Sequence, residues 1–412
     1  MATVVLIGTL DTKGEEYDYL RRRLHESDVA TVLVDAGVMG TPLAEPDVTR
    51  EEVAQAGDAD VRALAEAGDR GAAVEAMARG AAEIVKELYR EGRVDAVLAL
   101  GGSGGTAIAT HAMRELPVGV PKLMVSTMAS GDTRPYVGAV DVTMTYSVVD
   151  IAGLNPLSER ILANAAAAAA GMAKAEPPAG ADGKPLVGAT MFGVTTPCVT
   201  EARKRLDELG YEVLVFHATG TGGQSMEALM RSGFITAALD ITTTELADEL
   251  VGGVLSAGPH RLEAAGELGI PQVVSLGALD MVNFGPMDTV PAGFRDRLLY
   301  KHNPTVTLMR TTPEECAELG RRIARKLNDA RGPLTLFVPL KGISLIATEG
   351  QVFHDPAADE ALFSALRENL DPEVEVRELE TDVNDPVFAR AIADRLDELY
   401  RAWVATRKEV PA

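Results

Sequence analysis

Four glycines lie within five residues in Leu100-Gly101-Gly102-Ser103-Gly104-Gly105-Thr106. An apolar run, Val94 to Leu100, leads into them, and a helix-like stretch, Ala107 to Arg114, follows. Glycine lets backbone N–H groups approach a ligand closely and adopts positive φ without a Cβ clash. A helix start adds unpaired N–H donors and partial positive charge. Strand, glycine run and helix in that order suit a phosphate or another small anion. The same residues could also form a tight strand-to-helix turn with no ligand.

Three further loops carry similar chemistry. Gly8-Thr9-Leu10-Asp11-Thr12-Lys13-Gly14 offers hydroxyls at Thr9 and Thr12, a carboxylate at Asp11 and a cation at Lys13. Lys13 could neutralise a phosphate as a point charge, also in catalysis, and Asp11 could hold magnesium, which favours oxygen ligands. Alternatively, Asp11 or Thr12 caps a helix and Lys13 is solvated. Ser126-Thr127-Met128-Ala129-Ser130-Gly131-Asp132 presents Ser126, Thr127 and Ser130 with Gly131, suited to phosphate or sugar oxygens or to a capped helix start. Asp35-Ala36-Gly37 ends a second strand, where an acid can receive a ribose hydroxyl and Gly37 can admit a cofactor. The spacing of a Walker A loop is absent, and the glycine run only approximates GxGxxG.

The second half has comparable segments, Phe216-His217-Ala218-Thr219-Gly220-Thr221-Gly222-Gly223 and Asp240-Ile241-Thr242-Thr243-Thr244-Glu245. His217 and Asp240 are its candidate acid–base groups. Cys198 stands at a helix start without a visible base partner.

These loops need a scaffold, and the apolar pattern supplies one. Short β-branched runs alternate with helical stretches: 3–7, 31–34, 96–100, 122–125 and 142–146, then 186–191, 212–216, 236–239, 272–275, 305–309, 334–338 and 375–379. The runs are continuous rather than alternating, as in parallel strands buried on both faces. The expected fold is α/β, two Rossmann-like domains with mainly parallel sheets and a cleft between them. Prolines and glycines over 176–185 mark the boundary, giving domains 1–180 and 181–412. Both halves place a polar loop after their first strand and a glycine after their second, the pattern of a duplication. Residues 41–93 read as a helical insertion, with helix-start chemistry at Asp47–Glu52.

Polar loops gather at one end of these strands, where open parallel sheets bind ligands. Net charge of −22 disfavours nucleic acid and anionic membranes as partners. Two cysteines give no disulfide framework or structural zinc site. The N-terminus lacks a signal-peptide pattern, and no apolar run approaches membrane length, so a cytoplasmic protein is expected.

The motifs GTLDTKGEE (8–16), GGSGGT (101–106), STMASGD (126–132), MFGVTTP (191–197), FHATGTGG (216–223) and GPMDTVP (285–291), in this order, resemble the plant tobamovirus-resistance protein family with its Tm-one-like ATP-binding region. The resemblance spans roughly residues 3–405. It implies two α/β domains, ATP and Mg2+ as cofactors, and a homodimer. Longer members add a TIM-barrel, which for this chain a separate partner protein could supply. The expected function is an ATP-dependent enzyme that phosphorylates or activates a small metabolite. The alternatives are a non-catalytic nucleotide-dependent regulator, or a hydrolase or lyase working with that barrel.

Overall fold

The computed structural model describes residues 1–176 and 183–408. Most of the expected 176–185 connector lies outside them. The chain divides into two compact units, Met1–Gly180 and Ala181–Ala412.

The first unit runs β1 (Thr3–Gly8), α1 (Leu10–His25), β2 (Ala30–Asp35), α2 (Arg50–Ala56), α3 (Val61–Ala67), α4 (Arg70–Arg90), β3 (Ala96–Gly101), α5 (Ser103–Arg114), β4 (Lys122–Ser126), α6 (Arg134–Val137), β5 (Val142–Tyr146) and α7 (Pro156–Lys174). Its sheet has the order β2-β1-β3-β4-β5, and every pairing is parallel. Alternate strand residues serve opposite faces. Val4, Leu6, Leu33 and Leu98 pack with Leu20 of α1 and Leu162 of α7. Val5, Ile7, Val34 and Val97 pack with Val53 of α2, Met77 of α4 and Ile108 of α5. Each such aliphatic side chain, fully buried, contributes roughly 1.5–3 kcal/mol. The insertion is helical, and α2 starts on a capping box in which Thr49 and Glu52 satisfy each other's backbone N–H.

The second unit runs β6 (Leu186–Met191), α8 (Thr196–Glu208), β7 (Glu212–His217), α9 (Thr221–Arg231), β8 (Ala237–Thr242), α10 (Glu245–Val251), α11 (Ala264–Leu268), β9 (Gln272–Gly277), β10 (Met281–Phe284), β11 (Leu299–Asn303), β12 (Val306–Arg310), α12 (Pro313–Asn328), β13 (Leu334–Pro339), α13 (Pro356–Asn369), β14 (Glu375–Leu379) and α14 (Pro386–Lys408). Six strands form a parallel sheet, β14-β13-β9-β8-β6-β7. The run expected over 305–309 is instead the middle strand of a small antiparallel sheet, β10-β12-β11.

Two helices begin earlier than their sequence pattern suggests. α5 starts at Ser103, so most of the glycine run is its first turn. α1 starts at Leu10, with a kink at Lys13 (φ −130°, ψ 17°) inside the GTLDTKG motif.

Candidate functional site

In the first unit the strand order reverses at β1, so α1 and the α4–α5 pair lie on opposite faces of the sheet. Such a switch point leaves a crevice beyond the carboxyl ends of the strands. β1 and β3 pair from Val4–Ala96 to Ile7–Ala99 and then part. Tyr17 bridges the gap: its hydroxyl donates to a main-chain carbonyl, Ile7 or Leu100, and accepts the Leu100 N–H at 2.9 Å. Burial pushes its phenol pKa up, so it stays protonated. Gly8 makes room for the ring; a Cβ there would sit 2.0 Å from Tyr17 Cε2.

Beyond this bridge lies a cavity of about 560 Å3, a size suited to a small molecule. The predicted Thr9, Asp11, Thr12 and Lys13 line it, as does the run Gly101, Gly102, Ser103, Gly104 and Gly105. Val38, Leu64, Val74, Met77 and Ile108 form an apolar wall. The polar part of the lining includes the start of α5, where Gly102 is the N-cap and no side chain of the described residues caps the helix. None of the four glycines has positive φ, contrary to one use expected of them. Close packing explains Gly101, where a Cβ would lie 3.0 Å from Gly105 Cα.

The Asp11 carboxylate is half committed. Its Oδ2 accepts the Met39 N–H at 2.8 Å, while Oδ1 is buried without a hydrogen-bond partner among the described residues. Lys13 Nζ donates to the Ile151 carbonyl.

Other predicted residues are engaged within the fold or lie off the cavity wall. Asp35 is fully buried and accepts from Leu10 N–H (3.1 Å), Gly37 N–H (2.8 Å) and Arg50 Nε (2.8 Å), so it pins two loops and offers nothing to a ribose. Gly37 faces Asp11 rather than the cavity; a Cβ there would stand 2.9 Å from the Asp11 carboxyl carbon. Thr106 and Ser126 are buried and share a 2.7 Å hydroxyl hydrogen bond, and Ser126 also caps the Met128 N–H. Thr127, Ser130 and Gly131 are absent from the cavity wall. The wall also contains Asp69, Arg70 and Asp150, which sequence reasoning missed. Arg70 and Asp69 belong to the insertion, whose return to this sheet edge is a tertiary fact. The turn residues Gly68-Asp69 were the one local signal.

In the second unit the corresponding loops are filled from within. The glycine loop after β7 does cradle an anion, but the anion is Glu245, whose Oε1 accepts the N–H groups of Gly220 (2.7 Å) and Gly223 (3.1 Å). Arg261, 2 % exposed, donates to Glu245 (2.7 Å), to both oxygens of Asp240 (2.6 Å each) and to Glu227 (3.4 Å). Asp240 also accepts from Thr190 at 2.7 Å and is 3 % exposed. A base must reach its substrate, and Asp240 as placed cannot. His217 ends the edge strand β7 on the surface and lines none of the cavities described. Cys198 is buried, and burial raises its thiol pKa, so it is no nucleophile.

Two other buried acids should make the stability of this unit depend on pH. Burial pushes Asp248 from 3.8 up to about 7 and Asp280 up to about 6. An acid with a raised folded-state pKa contributes stability that is full below about pH 4 and lost as pH rises through that raised value. Asp248 contacts Asn283 through the Asn283 N–H (2.9 Å) and Nδ2 (2.6 Å), while Asn283 Oδ1 has no hydrogen-bond partner among the described residues. Denaturant melts of the second unit should weaken from pH 5 to pH 8, and Asp248→Asn should flatten that slope. An unchanged slope in the variant would assign the dependence elsewhere.

Comparison with known proteins places these units. Residues 2–178 match the N-terminal domain of the uncharacterised protein family UPF0261, and residues 184–400 match its C-terminal domain. A UPF0261 protein of Clostridium tetani is 54% identical over 394 residues, covering 95% of this chain and 98% of its own. One from Rhizobium meliloti is 48% identical over 393 residues, covering 95% and 97%. The ToMV resistance protein Tm-1(GCR237) of Solanum lycopersicum is 40% identical over 418 residues, which are 96% of this chain and 55% of the tomato protein. With both domain models matched in order and relatives aligned over nearly its whole length, the chain belongs to the UPF0261 family, to which the tomato resistance proteins are similar over about half their length.

Proposed function

We propose that the first unit binds ATP with Mg2+ in the cavity at its switch point. The supporting observation is the cavity's mixed lining. It includes the uncapped α5 start and the Thr9–Lys13 turn, suited to phosphates. It also includes aliphatic side chains suited to a base. Among the described residues no group of three or more His, Cys, Asp or Glu side chains could hold a metal ion. Magnesium commonly binds through one or two carboxylates plus substrate phosphates, and the unpartnered Asp11 Oδ1 fits that role. The ion would supply charge neutralisation at the phosphates.

The activity built on this site is phosphoryl transfer to, or activation of, a small metabolite. A second reading, a nucleotide-dependent regulator without catalysis, gains support from the occupied loops and the locked Asp240 of the second unit. Homodimer formation, or a separate barrel partner, belongs to either reading. No helix of the described residues is long and apolar enough to cross a membrane. Calorimetry with Mg-ATP, AMP and adenosine tests the site, with saturable ATP binding expected. Absence of ATP binding at millimolar concentration would refute it. ADP release dependent on an added acceptor would then favour the enzyme over the regulator.

A further inference from the structure

We infer that Arg70 is the phosphate-binding cation of this cavity, an inference that rests on the nucleotide reading above. The local sequence explains its placement. Gly68 turns the chain in the left-handed region (φ +66°), and Asp69 caps α4 by accepting the Ala72 N–H at 3.0 Å. α4 therefore begins, with Arg70, at the cavity wall. The guanidinium stands over the first turn of α5: Arg70 Nη2 is 3.6 Å from where a Cβ on Gly104 would be.

Its availability distinguishes it from the other charged groups of the wall. Lys13 is held by the Ile151 carbonyl, and Asp69 is engaged as a helix cap. Arg70 is exposed, and its guanidinium makes no hydrogen bond or ion pair with any described residue. The charged side chains of the wall are Asp11, Asp69 and Asp150 against Lys13 and Arg70. With three carboxylates against two cations in the wall, an entering triphosphate needs a free cation besides magnesium. Guanidinium suits the task, because its planar fork donates two parallel hydrogen bonds to phosphate oxygens and cannot lose its proton. The unpaired N–H groups of the α5 first turn lie beside it, so both donor sets converge on one anionic group.

Titration of the full chain and Arg70→Ala with Mg-ATP, ADP, AMP and adenosine tests the assignment. The variant should bind ATP about 10- to 100-fold more weakly, the size expected for losing charged hydrogen bonds. Adenosine affinity should stay within about twofold, and Arg70→Lys should recover part of the loss. Unchanged ATP affinity in Arg70→Ala would overturn the assignment and leave the nucleotide reading standing. Equal losses for ATP and adenosine would overturn it too, by showing a structural role. Failure of the wild-type protein to bind any of the four ligands would overturn the nucleotide reading and this inference together.

Discussion

Arg261→Met is expected to unfold the second unit, or to lower its unfolding free energy by about 3–5 kcal/mol, the penalty of leaving a buried partner charge uncompensated. The guanidinium contacts three carboxylates, Asp240, Glu227 and Glu245, with side-chain exposures of 5%, 7% and 0%. Methionine fills similar space but would leave Asp240 and Glu245 without Arg261 and Glu227 with only the partly exposed Arg231, 3.5 Å away. Burial already raises the Glu227 pKa although Arg261 is adjacent, so the balance there is narrow. Urea unfolding followed by far-ultraviolet circular dichroism measures the effect. Adding Asp240→Asn and Glu245→Gln should restore part of the loss, because fewer uncompensated charges then remain. A midpoint for Arg261→Met equal to wild type would mean that the cluster is not a net structural element.

The second large effect is expected at Gly104. A Cβ there meets Arg70 Nη2 and Val74 Cγ2 at 3.6 Å, ordinary contact distances, and the backbone φ is not positive. Gly104→Val should therefore fold, shifting stability by no more than about 1 kcal/mol at an early helix position. Its branched methyls would occupy the space between the α5 start and Arg70. ATP affinity should fall by at least about 100-fold, since losing the phosphate contacts removes several charged hydrogen bonds. Calorimetry beside a thermal melt reads both quantities. Full ATP affinity in a folded Gly104→Val protein would remove the phosphates from this loop. Gly101→Ala is the contrasting case, because its Cβ would press on the Gly105 backbone at 3.0 Å and displace the turn itself.

The parallel sheets were legible because their strands are unbroken apolar runs, as in Ala96–Leu100, where every residue is buried. β11 was not, since Leu299-Tyr300-Lys301-His302-Asn303 is mostly polar and exposed and reads as loop. β10 is short and follows β9 without an intervening helix, so no alternation announced it. The true start of α5 was hidden because glycine and serine have weak helix propensity, which put the visible pattern at Ala107. Loop chemistry singled out Thr9–Lys13 and Gly101–Gly105, which line the cavity, but could not distinguish inward from outward groups. Asp11 lies just beyond β1 and Asp35 ends β2, yet Asp35 is occupied by Arg50 while one oxygen of Asp11 has no partner among the described residues. Asp240 misled for the same reason, because its partner lies 21 residues away. Such pairings depend on topology rather than local spacing.

Glu245 held by the Gly220 and Gly223 N–H groups has a consequence for how the two units respond to their surroundings. An anion tethered by the chain is present at a fixed local concentration whatever the supply of small molecules. A diffusible ligand stabilises its host in proportion to the logarithm of its concentration above Kd. The Gly220–Gly223 loop is thereby satisfied without any diffusible anion, whereas a ligand in the first unit's cavity would stabilise that unit according to its supply.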